Sequence, residues 1–410
     1  MSDSDLRKSG AVRADIDAAS HGDGRPGDVR GAFPFDGWSP LWSGLARVAG
    51  QLPPAGQPFP VGGAVARGGF GASGGGCPDG RLVRPLGERC DSFGPRFDAH
   101  VGPGGYRWWY IDAESDDGRF GLTVIAFIGS VFSPYYKASG RGFPENHVSL
   151  NVALYGPRGR RWAMTERGQG ALRRDRTTLQ IGPSALHWDG NGLTIEIDEK
   201  NALLPRAVRG RIRVTPEVLG QRRFRLDPQG RHVWEPVAPR SRVDVAFSDP
   251  DIAWGGQGYF DANHGSEPLE SGFADWQWSR AHLSGGDTAV IYEGKLRSGD
   301  DFGMALRIGR DGNAEVTEMP VAVHLPRTGW AIDRLTRADA ADAATVRATW
   351  ENTPFYSRTA LASRMFGENV HAVHESLSLD RFRSPVVQWM LPFRMPRRPG
   401  CADPDAIARP

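Results

Sequence analysis

The chain has 410 residues, long enough for two sizeable cores, and its 50 Lys and Arg against 48 Asp and Glu leave no basic excess of the kind a nucleic-acid surface needs. Three cysteines, Cys77, Cys90 and Cys401, make neither a disulfide framework nor a zinc-ligand spacing, so no metal is expected and a reducing cytoplasm is the default compartment. The 53 glycines and 31 prolines suit many turns, and the 13 tryptophans suit a large aromatic-lined interior.

Residues 1–92 read as a low-complexity extension. Its first residues, MSDSDLRKSG, are polar with no apolar stretch behind them, which argues against a secretory signal. HGDGRPGDVRG and PVGGAVARGGFGASGGGCPDG hold too few apolar residues to offset ordering entropy, so the extension is expected to be largely disordered. Its glycines do not form a phosphate loop, because no Gly-Lys-Ser or Gly-Lys-Thr ends the run. One island, DGWSPLWSGLARVAG, predicts an amphipathic helix over 39–50. There Ser39 caps, Pro40 fits the first turn, and Trp38, Leu41, Trp42, Leu45 and Val48 share a stripe. Such a helix either docks on its own protein or lies on a membrane surface.

From residue 93 the pattern turns to alternation broken by Gly, Asp and Asn. RWWYIDAESDDGRFGLTVIAFIG predicts two strands around a DDG turn; HVSLNVALYGPRGRRWAMTER and ALHWDGNGLTIEIDE predict two further hairpins. FGLTVIAFIGSVF (120–132) is too short to span a bilayer as a helix and reads as a buried strand. GRIRVTPE, RVDVAFS, DWQWSRAHLSGGDTAVIYEGKL and FGMALRIGRDGNAEVTEM continue the strands, and RADAADAATVRATW (337–350) stays open between helix and strand. The expectation is an all-β chain of two barrel or sandwich domains, 93–268 and 269–395, divided near SEPLESGF and followed by a tail at 396–410.

Side chains at i and i+2 of a strand share a face. In DIAWGGQGYFDANHG (251–265), Tyr259, Asp261 and Asn263 therefore point together, as do His232 and Trp234 in RHVWEP, and Trp276, Trp278 and Arg280 in DWQWSR. If these faces meet, they enclose a carboxyl, an imidazole and aromatic walls, with Gly255, Gly256 and Gly258 permitting a bulge or close approach. The plain alternative is a hydrogen-bonded strand end beside a tryptophan-rich core. Trp254, Asn263, Trp276 and Trp278 are the candidate substrate-lining residues. HAVHE (371–375) has metal-like spacing, but on a strand His371 and His374 face opposite ways. No GxSxG elbow and no dinucleotide fingerprint on a βαβ unit is present.

YRWWYIDAESDDGRFGLTVIAFIGSVFSPYY (106–136), HVWEPVAPRSRVDVAF and WGGQGYFDANHG together resemble the carotenoid 1,2-hydratase (hydroxyneurosporene synthase) family of purple photosynthetic bacteria, over about residues 93–395. The resemblance implies two lipocalin-like β domains in tandem, with the pocket in or between them. It also implies cofactor-independent addition of water across the terminal 1,2 double bond of an acyclic carotene such as neurosporene or lycopene. The family's implicated residues fall on His232, Trp234, Tyr259 and Asp261. Their chemistry suits the task. A neutral Asp261 would protonate the alkene, the rings of Trp234 and Tyr259 would support a tertiary cation, unless Tyr259 instead orients Asp261 by hydrogen bonding, and water held by His232 or another group would attack it. A lipocalin-like carotenoid- or lipid-binding protein without chemistry, or a cyclase or pericyclase of related two-domain β proteins, are the competing readings. A bilayer-borne substrate implies peripheral contact with the inner (photosynthetic) membrane, for which the 39–50 helix and the basic stretch PFRMPRR (392–398) are candidates.

Overall fold

The computed structural model describes residues 87–89, 94–202, 204 and 206–399, all within one compact unit. The helix expected at 39–50 lies outside the described residues. Thirteen strands make the first antiparallel sheet: β1 (Gly87–Arg89), β2 (Tyr106–Ser115), β3 (Gly121–Ile128), β4 (Val148–Gly156), β5 (Gly159–Arg167), β6 (Leu172–Arg174), β7 (Thr178–Ile181), β8 (Ser184–Trp188), β9 (Leu193–Lys200), β10 (Ala207–Val218), β11 (Arg222–Arg225), β12 (His232–Asp249) and β13 (Asp251–Gly265). Its order is β5-β4-β3-β2-β13-β12-β10-β9-β8-β7-β6, with β11 on β12 and β1 on β11. Contacts of β5 with β9 and of β4 with β7 show that the sheet curls back on itself.

The remaining strands are β14 (Phe273–His282), β15 (Thr288–Leu296), β16 (Asp301–Ile308), β17 (Ala314–Thr317), β18 (Val321–Leu325), β19 (Arg334–Ala338), β20 (Ala344–Asn352), β21 (Tyr356–Met365) and β22 (Glu368–Ser378). Seven of them form the second sheet, β17-β16-β15-β14-β22-β21-β20, and the β18–β19 hairpin packs on it. Short helices complete the fold: α1 (Pro134–Ala138), α2 (Leu269–Gly272), α3 (Leu379–Arg383) and α4 (Pro385–Arg394). None of the described helices is long and apolar enough to cross a membrane.

Alternation builds three cores. Trp109, Ile111 and Ala113 of β2 point inside the curled first sheet with Leu122, Val152 and Phe260. Tyr106, Trp108 and Tyr110 of the same strand point the other way, into a second cluster shared with Trp276, Trp278 and Tyr292 of the second sheet. A third cluster, with Leu361, Ile291 and Val323, fills the space between the second sheet and the hairpin. β2 is thus buried along its full length and serves two cores at once.

The structure differs from the sequence reading at three places. Gly87–Arg89, inside the expected disordered extension, forms β1 against Arg222–Phe224. The open 337–350 segment is strand, turn and strand: Arg337 and Ala338 end β19, and Ala344–Asn352 pairs along β21. Residues 379–394 hold two helices that the strand pattern hid. α4 is apolar on nearly every side and carries Pro392 inside it, so no helical stripe stands out, although Ser384 caps it and Pro385 opens it.

Candidate active site

The seam between the sheets is built by register. On β13, Asp261 lies opposite Tyr110 of β2 and Tyr259 opposite Asp112, while Asn263 lies between Trp108 of β2 and Trp234 of β12. Tyr259, Asp261 and Asn263 face the seam, and Phe260 and Ala262 face the curled interior, as a period of two requires.

Asp261 is almost fully enclosed, at 4 % exposure. Its Oδ2 accepts from the indole Nε1 of Trp234 at 2.8 Å and from the Tyr259 hydroxyl at 2.9 Å. Its Oδ1 is buried with no hydrogen-bond partner among the described residues. Burial pushes the Asp261 carboxyl well above the usual range; the two donors pull the other way, and Glu375 and Asp112 add to the rise. A neutral carboxyl so held keeps its proton on Oδ1, because Oδ2 already receives two donors.

Asp112, two strand positions away on the same seam, is held differently. Its Oδ1 accepts from Arg280 Nε at 3.0 Å and Nη2 at 2.7 Å, and its Oδ2 from Arg358 Nη2 at 2.7 Å. Arg358, wholly buried, also reaches Glu375 and the Tyr110 hydroxyl. These ion pairs join β2 of the first sheet to β14, β21 and β22 of the second. They absorb the cations of the seam, and none is left on Asp261.

Aromatic rings surround the carboxyl. Trp278 packs on Tyr259 at 5.3 Å and on Tyr110 at 5.5 Å between centroids, and Tyr292 meets the edge of Trp234 at 5.7 Å. Trp276 touches Tyr292 and Trp108 in turn. The structure therefore places Trp234, Tyr259, Asp261, Asn263, Trp276 and Trp278 in one buried layer. Asn263 meets Tyr292, its Nδ2 lying 3.5 Å from the hydroxyl. Tyr106, Trp108, Tyr110 and Tyr292 belong to the same layer and were not singled out from the sequence. For the first three the signal existed, because they alternate along β2.

His232 is buried in this layer but does not touch Asp261. It pairs with Gly265, four residues along β13 from Asp261, or roughly 13 Å of strand. Its Nδ1 lies 2.9 Å from the Tyr106 hydroxyl and its Nε2 3.2 Å from Glu267 Oε1. Burial lowers the imidazole pKa, against the pull of Asp227 and Glu267. The neutral ring then donates from Nε2 to Glu267 and accepts from Tyr106 at Nδ1. Both nitrogens are occupied, so His232 holds Tyr106, which stacks on Trp108 at 4.9 Å.

One expectation is corrected. Trp254 does not line the seam: seven residues from Asp261, it has the opposite parity, packs against the interior of the curled sheet and stacks on Phe120. Gly256 and Gly258 do mark the expected close approach, and β12 bulges opposite Gly258. A Cβ on Gly256 would lie 2.1 Å from the Glu114 carbonyl oxygen, and one on Gly258 would lie 2.1 Å from Val243 Cγ2, so they serve strand packing. Elsewhere, His371 is exposed and His374 buried on opposite faces of β22. A surface pocket lined by Phe120, Tyr155, Arg158 and Ile252 lies among residues of the curled sheet and includes none of the seam residues.

The family model for carotenoid hydratase CrtC matches residues 124–403. The acyclic carotenoid 1,2-hydratase of Thiocapsa roseopersicina is 50% identical over 375 residues, 90% of this chain and 92% of that protein. That of Rubrivivax gelatinosus is 46% identical over 380 residues, 92% of this chain and 94% of that protein. The crystal structure of CghA is a looser match, with a TM-score of 0.46 at 14% identity over 73% of this chain and 94% of that one.

Proposed function

The chain belongs to the carotenoid hydratase CrtC family and is a hydro-lyase acting on acyclic carotenoids at the 1,2 bond; we propose that neurosporene and lycopene are substrates and that Asp261 is the proton donor. The observation that carries the mechanism is the enclosed Asp261 carboxyl, free of cations, with Oδ2 doubly hydrogen-bonded and Oδ1 bare.

An unactivated trisubstituted alkene is hydrated only after proton transfer to carbon. Oδ1–H of Asp261 gives its proton to C2, the π electrons form the new C–H bond, and C1 becomes a tertiary cation. The step asks a carboxyl to stay protonated near neutrality, and burial moves Asp261 in that direction. As the carboxylate forms, the Trp234 and Tyr259 donors strengthen and stabilise it. Faces of the neighbouring rings attract the cation, by up to about 2 kcal/mol each in a dry site. Water then bonds to C1, and the extra proton returns to the Asp261 carboxylate, which restores the starting acid and leaves a tertiary alcohol. His232 and Glu267 stand behind Tyr106 and fix the far wall of the layer. The substrate's home in lipid makes the protein a peripheral visitor to a membrane.

Turnover of lycopene in deuterated water tests the reading. The expected product is 1-hydroxylycopene carrying one deuterium at C2. A hydroxylated product without that deuterium would exclude proton transfer to carbon. Recovery of bound, unchanged lycopene would leave a carotenoid-binding protein instead.

A further inference from the structure

α4 shows apolar side chains on both of its sides. Val387, Met390 and Leu391 are buried, Val387 and Leu391 of them in the seam cluster, while Val386, Trp389 and Phe393 are 53%, 57% and 48% exposed. The exposed three fall at i, i+3 and i+7, one stripe of the helix, and Trp389 packs its ring on Phe393 at 5.3 Å. The helix has two polar side chains, Gln388 and Arg394. Gln388 donates to the Phe382 carbonyl, and Arg394 covers the Trp162 ring at 4.2 Å. A helix apolar all round belongs in a core or against lipid, and half-exposed aromatic rings on one stripe suit a lipid surface better than water. At ten residues α4 can lie on a bilayer but not span it.

Charge next to the stripe points the same way. α1 packs beside α4, and its exposed Lys137 shares a surface depression with Arg383, Arg297, Glu270 and Ser271; Asp380 pairs with Arg297 and Arg141 with Glu270, so Lys137 and Arg383 supply the positive charge there. An apolar stripe with a cationic rim is complementary to anionic lipid.

Behind the helix runs an unbroken file of rings. Phe382 of α3 meets Phe132 at 5.6 Å, Phe132 meets Phe127 at 6.2 Å, and Phe127 meets Trp108 at 6.1 Å. Trp108 meets Trp276 at 6.1 Å, Trp276 meets Tyr292 at 5.8 Å, and Tyr292 meets Trp234 at 5.7 Å, where the file ends on the Asp261 hydrogen bond.

We propose that the outer face of α4, with Lys137 and Arg383 beside it, docks on an anionic lipid bilayer, and that the ring file behind it is the route of a polyene from that bilayer to Asp261. The second half rests on the carotenoid reading above; the first does not. The full chain and its Trp389→Ser/Phe393→Ser variant are floated with phosphatidylcholine vesicles with and without phosphatidylglycerol. Turnover of lycopene is measured both in the same vesicles and in detergent micelles. A Val316→Ser/Val321→Ser variant, exposed apolar residues outside α4, is the control.

The parent and the control are expected to float with phosphatidylglycerol vesicles, more weakly at high salt, and the α4 variant to lose about tenfold or more in binding. Its turnover should fall similarly in vesicles and stay within about twofold in detergent. Flotation of the α4 variant equal to the parent's overturns the docking face. Equal loss of turnover in detergent overturns it too, since α4 would then shape the site. A parent dimer that these substitutions split, without flotation, would make the face a protein contact and likewise overturn it. Flotation as expected with no hydration in either format would leave the docking face standing and sink the hydratase reading alone.

Discussion

Asp112 and Asp261 face the same seam from adjacent strands, each in register with the other's neighbouring tyrosine, and arginine meets only Asp112. Arg280 and Arg358 tie Asp112 into the joint between the sheets. Asp261 receives an indole N–H and a phenol O–H in their place. Two carboxyls in one buried layer thus sit in different settings, one held by cations and the other by neutral donors.

The Asp261→Asn variant keeps the shape and the Oδ acceptor for Trp234 and Tyr259 but has no acidic proton. Its turnover should fall by about a thousandfold or more, with lycopene binding, read from the pigment's absorption shift, changed little. Turnover near the parent's would remove Asp261 from the reaction.

Stability gives a test that needs no substrate. Burial raises the Asp261 pKa in the folded protein, so the fold keeps a proton that the unfolded chain releases above about pH 4. Keeping it costs nothing below that pH, and the cost grows as pH rises toward the folded pKa. Asp261→Asn escapes this cost, so its melting temperature should exceed the parent's at pH 7 and converge with it toward pH 4. A difference independent of pH would mean that the carboxyl titrates alike in the folded and unfolded chain, and that burial does not raise it. In the parent, turnover should decline as pH rises through the same folded pKa.

Arg358→Met leaves Asp112 with Arg280 alone and Glu375 without its cation. Breaking such a buried network should cost roughly 3–5 kcal/mol, measured by urea denaturation. Adding Glu375→Gln should recover part of that loss. An Arg358→Met protein as stable as the parent would show that the seam does not depend on these pairs.

Trp254→Phe, on the far side of β13, should leave kcat/KM within about twofold, whereas Trp276→Ala, in the ring file, should lower it about tenfold or more. The reverse ranking would place the substrate inside the curled sheet.

Alternation made much of the site legible. Tyr259, Asp261 and Asn263 could be put on one face from sequence alone, and the hairpins around DDG and DGNG fold as their turns dictate. The same rule, applied to Trp254, would have turned it away; nearness in sequence grouped it with Asp261 instead. Arg280 and Arg358 meet Asp112 across 168 and 246 residues of chain, and no local pattern encodes which strand faces which between two sheets. His232 shares Trp234's face as expected, but distance along the strand, which parity does not report, sets it beside Tyr106. α4 was hidden because both of its sides are apolar, leaving no periodic contrast to read.

On the proposed mechanism, an acid lodged in the joint of two sheets would make catalysis a gauge of how tightly that joint is shut. Were the halves to part by the width of one water molecule, Asp261 would be solvated and would ionise, and the chemistry would stop while every strand kept its hydrogen bonds. On warming, inactivation should therefore run ahead of any loss of β structure.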